Sequence, residues 1–313
     1  MLAEPDPKPP VAVICCFLDG KHFLAEAIES VLAQTYPHWT LTLVDDGSTD
    51  GATEIARAYA ARDPRVRYFE HENHANRGLS ASRNAGIAAS DGPLVAFIDA
   101  DDFWPPEKLS EQVAAIQSDP ALAMVSGAAL YWRSWNGGKD VVVTSGHRSN
   151  IRIDPPEALL NVYPLGAAGA PPPSSLLVRR EAIERVGGFE AHFSGIYALY
   201  EDQAFLCKLY ASMPVYFSDR VWVYYRQHGA SIMASVRAQG RYHEVRRYFL
   251  RWYWRYLDEV PVLHPPIRPA VARALRPYRV PAGLWLLKFG ASQRLAEARH
   301  LLRRLVHPLW RVL

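Results

Sequence analysis

VAVICCFLDGKHFLAEAIESVLAQTYPHWTLTLVDDGSTDG, residues 11–51, decides the fold. Its first eight residues form an unbroken apolar run, as a strand buried on both faces requires. Residues 22–34 then set Phe23, Ala27, Ile28, Val31 and Leu32 at helical spacing. WTLTLV (39–44) is a second strand. A strand, a helix and a strand in so short a stretch make a βαβ unit, whose two strands lie parallel with a right-handed crossover.

The alternation continues outward. Asp50 precedes an Ala-rich helix ending near Arg62, and VRYF (66–69) is a third strand. A helix around 80–89 leads to LVAFI (94–98), a fourth strand. Pro105 suits the first turn of a helix running to about Gln117, and 122–130 reads as a fifth strand. Residues 131–173 are Gly- and Pro-rich and read as an insertion covering the sheet. SSLLVRR (174–180) is a strand, 181–189 a short helix stopped by Gly187, 201–212 a helix, and 214–217 and 221–225 short strands. From about Ser235 the pattern is helical, broken at Pro261, Pro265, Pro266, Pro277 and Pro281. The fold class is therefore α/β, with a mostly parallel central sheet of Rossmann-like order flanked by helices, and a C-terminal helical extension.

Composition sharpens this. With 49% hydrophobic residues in 313, the chain has ample apolar surface for a core and is not a disordered protein. The net charge of +3 hides a division: residues 1–233 carry 19 basic and 28 acidic residues, and 234–313 carry 16 and 4. An acidic body suits a cation, and a basic tail suits phosphates or an anionic membrane. Cys15, Cys16 and Cys207 make no disulfide framework and no metal-ligand spacing. No apolar run is long enough to span a bilayer, and the N-terminus lacks a secretory pattern.

In open parallel sheets, ligands bind beyond the carboxyl ends of the strands. Asp19 follows the first strand, Asp45 and Asp46 the second, and Asp99, Asp101 and Asp102 the fourth. Six carboxylates on one rim repel one another and call for a cation or a donor-rich ligand. Mg²⁺ typically takes one or two carboxylates and completes its shell with phosphate and water oxygens.

VDDGSTDG (44–51), NRGLSASRNAGI (76–87), FIDADD (97–102) and YEDQAF (200–205), in this order and spacing, resemble glycosyltransferase family 2, the inverting nucleotide-sugar enzymes of GT-A fold. The resemblance implies a UDP-type donor contacted by Asp19, Asp45 and Asp46. It implies a metal-diphosphate site at Asp101 and Asp99, served by Mn²⁺ or Mg²⁺, with Asp99 also toward the donor ribose. Asp102 caps the next helix instead. Arg83 approaches the diphosphate or orients the aspartates, while Gly78 and Gly86 allow close backbone approach. Asp202 is implied as general base with Glu201 beside it; Arg226 reaches the diphosphate, and His228 is a metal ligand or phosphate donor. Trp104 and Phe189 would line the sugar pocket. Cys16 and Asp19 stand where the family often has Pro and Asn, and YWRSWNGGKD (131–140) departs from its common pattern.

The expected organisation is a disordered tail over 1–10, a catalytic domain over 11–233 and a basic helical extension over 234–313. The expected acceptor is a glycan or lipid-linked hydroxyl. The extension would meet an anionic membrane surface or form a homodimer, placing a cytoplasmic protein peripherally on the inner membrane face. No nucleic-acid motif is present. The competing expectation is a non-catalytic sugar- or nucleotide-binding module; a nucleotidyltransferase lacks support, since the loop after the first strand, DGKHF (19–23), is not its Gly-rich basic loop.

Overall fold

The computed structural model describes residues 8–229, 231–260 and 264–279. The expected N-terminal tail lies largely outside them, as do the last 34 residues of the basic extension, 280–313. The described residues form two compact units. The first holds the described residues up to Ser194 together with Glu201–Gln227; the second holds Gly195–Tyr200 and the described residues from His228 onward.

Every residue of β1 (Val11–Phe17) is buried. Its neighbours are β2 (Trp39–Asp45) and β4 (Leu94–Asp99), both parallel to it, and β3 (Val66–Glu70) extends the parallel set beyond β2. Alternate β1 side chains point to opposite faces. Val11, Val13 and Cys15 join the core formed with α1 (Leu24–Leu32), α2 (Ala52–Arg62) and α4 (Lys108–Gln117). Ile14 faces α3 (Leu79–Ala88). There Gly86 is required for packing: a Cβ on it would stand 2.5 Å from Ile14 Cγ2 and 2.9 Å from Val44 Cγ2. The close approach expected at Gly86 is thus to the sheet and not to a ligand.

The sheet is parallel in its first half and mixed beyond. Its order is β3-β2-β1-β4-β8-β5-β9-β7, with β6 beside β5. β8 (Leu176–Arg179) is antiparallel to both β4 and β5 (Met124–Trp132), and β5 runs parallel to β9 (Val215–Arg226), a single strand where two short ones were expected. The insertion at 131–173 extends the sheet instead of covering it. β6 (Val141–Val143) pairs with the end of β5, and β7 (Ile151–Ile153) pairs with β9 at the sheet's edge. α5 (Glu157–Asn161) and α6 (Arg180–Arg185) are short; α7 (Glu201–Ser212) is almost wholly buried. The three cysteines are buried and unbridged.

The second unit contains the turn Gly195–Tyr200, α8 (Ile232–Ala238), α9 (Tyr242–Glu259) and α10 (Ile267–Leu275). α9 buries Val245, Phe249, Trp252, Tyr253 and Leu257 along one side. Tyr200 stacks on Phe249, and Tyr197 stacks on Tyr248 while its hydroxyl donates to Glu244 at 2.9 Å. No helix among the described residues is long and apolar enough to cross a membrane.

Candidate active site

The register of the parallel strands sets the site. Asp45 stands level with Phe17 and Asp99 with Cys16, so both flank the carboxyl end of β1. Exposure and hydrogen bonding then separate the six aspartates.

Asp45 is fully buried and its oxygens are occupied. Oδ1 accepts the N–H groups of Gly47 and Ser48, and Oδ2 accepts the Thr53 hydroxyl at 2.5 Å with the Tyr68 hydroxyl 3.1 Å away. Burial pushes its carboxyl up, but these donors outweigh it and hold the group below its ordinary range. Asp45 therefore shapes its own loop. Asp46, 5% exposed, accepts the Arg77 and Gly78 N–H groups at 2.7 and 3.0 Å, with His71 Nε2 3.7 Å away. Gly78 makes this possible because its φ of +86° disfavours a side chain. Asp19 is exposed at φ +53° and accepts the Thr49 N–H at 2.7 Å, tying the first loop to the second.

The D-A-D segment divides too. Asp102 is not a helix cap. It is fully buried, accepting the Ser174 hydroxyl at 2.5 Å and the Arg226 N–H at 3.0 Å. Burial, with the charges of Asp101 and Asp99, pushes it well up. Ser174 also accepts the Asp99 N–H at 2.9 Å, so one hydroxyl joins both ends of the turn. Asp99 and Asp101 remain partly exposed on the rim. Burial raises Asp99 despite Arg83, and Asp101 adds to the rise.

Arg83, on α3, joins the two acidic motifs. It is 2% exposed, donates from Nη2 to Asp99 Oδ1 at 2.6 Å and from Nη1 to Glu201 Oε1, and lies over the Phe189 ring. It thereby holds Asp99 and Glu201 through one guanidinium. Burial pushes Glu201 up against the pull of Arg83, and Glu201 Oε2 is buried with no hydrogen-bond partner. Asp202 is half-buried; its oxygens accept the N–H and side-chain amide of Gln203 at 2.7 and 3.1 Å. Burial pushes Asp202 up to about 6, again against Arg83.

Arg226 also departs from expectation. Its side chain is 3% exposed, donates from Nε to the Asp101 carbonyl at 2.7 Å and from Nη2 to Glu26, and sits among Phe23, Trp132 and Trp135 at 4.6, 4.2 and 5.1 Å. It braces the Asp101–Asp102 turn. Trp104 and Phe189 are core residues, the first donating to the Ser174 carbonyl and the second stacked on Phe205. His228 belongs to the second unit and is half-buried. Among the described residues no three His, Cys, Asp or Glu side chains are grouped as metal ligands. Sequence reasoning missed Ser174, Thr53, Tyr68, Gln203 and Glu26. Each matters through a partner distant in sequence or through a neutral hydroxyl or amide, neither of which leaves a motif.

Comparison with known proteins bears on the family and the fold. Residues 11–187, more than half of the chain, match the model of glycosyl transferase family 2. An uncharacterized glycosyltransferase, alr2836, of Nostoc is 31% identical over 176 residues, 56% of this chain and 52% of its own length. The putative teichuronic acid biosynthesis glycosyltransferase TuaG of Bacillus subtilis is 37% identical over 123 residues, 39% of this chain and 48% of that relative. The chain thus spans about half the length of these relatives. Among solved structures, TarS 1-349 of S. aureus in complex with UDP-GlcNAc superposes with a TM-score of 0.64 at 20% identity, covering 92% of this chain and 81% of that one. The mannosyltransferase PcManGT of Pyrobaculum calidifontis, in complex with GDP-Man and Mn²⁺, gives 0.58 at 20%, covering 95% and 77%. With the mixed sheet, the acidic rim at its parallel end and the family model in agreement, the chain belongs to glycosyltransferase family 2 and has the GT-A fold.

Proposed function

We propose that the protein transfers a sugar, with inversion, from a UDP-sugar to a hydroxyl of a glycan or lipid-linked acceptor, with Asp202 as general base. The observation that carries this reading is the Arg83 bridge. One buried guanidinium holds Asp99 of the D-A-D segment and Glu201 of the E-D pair, so donor-side and acceptor-side carboxylates share one fixed centre. A non-catalytic module needs no such link. Solved neighbours of this fold bind UDP-GlcNAc in one case and GDP-Man with Mn²⁺ in another, which supports a nucleotide-sugar donor.

The chemistry follows from the side chains. Asp202 accepts the proton of the acceptor hydroxyl as that oxygen attacks the sugar's C1, and the nucleotide diphosphate departs from the opposite face. A carboxyl pushed up to about 6 is ionised at neutral pH yet basic enough to take a proton. Arg83 keeps Glu201 and Asp99 in place. Asp19, exposed on the loop after β1, offers an acceptor oxygen toward nucleoside hydroxyls and ring N–H groups, and Asp46 holds the 77–78 backbone. The donor set fits a hard cation: Asp101 and the Asp99 oxygen not engaged by Arg83 would hold it, with phosphate oxygens completing the shell. When bound, Mn²⁺ or Mg²⁺ supplies positive charge that offsets the charge growing on the diphosphate.

Asp202→Asn tests the assignment. Donor affinity should stay within about twofold while turnover falls by ~10²–10⁴-fold, as expected for loss of a general base. Turnover near that of the wild type would refute the role of Asp202.

A further inference from the structure

Arg247, Arg251 and Arg255 of α9 stand four residues apart and so line one face of that helix. Like charges at this spacing repel. The helix tolerates them because its other side is anchored by Val245, Phe249, Tyr253 and Leu257. Arg279, just past α10, joins the three; together with Trp254, Leu275 and Tyr278 they line a cavity of about 650 Å³ within the second unit. No carboxylate is among the described lining residues. Two acids of the same helix are engaged elsewhere: Glu244 accepts from Arg241 at 2.6 Å and from Tyr197, and Asp258 accepts from Arg268 at 2.8 Å. Arg251, Arg255 and Arg279 therefore present positive charge to one concavity, with no carboxylate among its described lining residues.

We infer that this cavity binds a phosphate-bearing ligand. Planar guanidinium forks match phosphate oxygens two at a time, and several forks converging on a hollow favour a multiply charged anion over a single carboxylate. The volume exceeds that of an isolated phosphate ion, leaving room for the group that carries it, with Trp254 and Tyr278 as its apolar walls. A phosphate headgroup of a lipid and soluble phosphate share this chemistry. The cavity shares no described lining residue with the acidic rim, and its role does not depend on Asp202 as the catalytic base.

The test uses the full chain, the R251A/R255A variant and the R251K/R255K variant. Arg251 and Arg255 are exposed, so the fold should survive their replacement. Two probes are compared: inorganic phosphate by calorimetry with UDP saturating the donor site, and flotation on phosphatidylcholine vesicles with or without phosphatidylglycerol. Binding to at least one probe is expected, weakened at least about tenfold in the alanine variant by loss of two charge-assisted contacts. Binding confined to phosphatidylglycerol vesicles identifies a lipid headgroup; binding to phosphate alone identifies a soluble source. The inference is overturned if the wild type binds neither probe, or if the alanine variant binds like the wild type. It is also overturned if lysines restore full affinity, since bulk charge would then suffice.

Discussion

Replacing Arg83 by Met would remove the charge and keep most of the aliphatic stem against Phe189. Arg83 is 2% exposed, and Glu201 has its other oxygen buried without a partner, so Glu201 depends on this one cation. Removing one member of a buried ion pair costs about 3–5 kcal/mol. For a domain of this size that lowers Tm by roughly 10 °C. The loss must depend on pH. Burial already pushes Glu201 and Asp99 up, and without Arg83 both rise further above their unfolded values. The folded variant then binds more protons than the unfolded chain, so its stability increases as pH falls through that window. Urea unfolding of both proteins at pH 8 and pH 5.5 should show a smaller deficit at pH 5.5 than at pH 8. Adding Glu201→Gln to the Met variant should recover stability at pH 8, since the orphaned charge is gone. A deficit under about 1 kcal/mol, an equal deficit at both pH values, or no recovery in the double variant would refute the bridge as the holder of these carboxylates.

The pH profile of kcat/KM should rise with pH to a half-maximal value near the raised carboxyl of Asp202, about 6, and level off above it. A profile flat from pH 5 to 8 would count against Asp202 as base. Gly86→Ala should destabilise by about 2 kcal/mol, because the new Cβ overlaps Ile14 and Val44; thermal melts check this, and an unchanged Tm would mean that α3 shifts freely. Chelation with EDTA should abolish turnover, and Mn²⁺ or Mg²⁺ should restore it; full activity in chelator would remove the cation from the proposal.

The parallel half of the fold was legible because its strands are buried on both faces and so appear as continuous apolar runs between helical spacings. Residues 131–173 were not. Their strands, Val141–Val143 and Ile151–Ile153, are three residues long and carry no usable period, so their pairing with β5 and β9 left no trace in the sequence. Motif spacing located the acidic rim, but it assigned alike side chains that the fold treats differently. Arg226 illustrates why. Its conversion from a phosphate ligand into a brace depends on Glu26, 200 positions earlier, and on aromatic rings from two other segments.

The aspartates separate by what reaches them. Asp45 collects backbone N–H groups and a hydroxyl, Asp46 the 77–78 backbone, and Asp102 a hydroxyl and the Arg226 N–H. Their charges are answered by dipoles within the chain, and they set the shape of three loops. Asp99 and Glu201 each give one oxygen to Arg83, while Asp202 accepts from Gln203 alone among the described residues and stays half-buried. One cation cannot neutralise these carboxylates together with Asp101 on the rim. The excess negative charge of the first unit is therefore concentrated where bond-making is proposed, and burial there pushes Asp99, Glu201 and Asp202 upward. Carboxylates whose oxygens are fully engaged build the site; those held by one shared guanidinium, or by one neighbouring amide, retain the basicity that proton transfer needs.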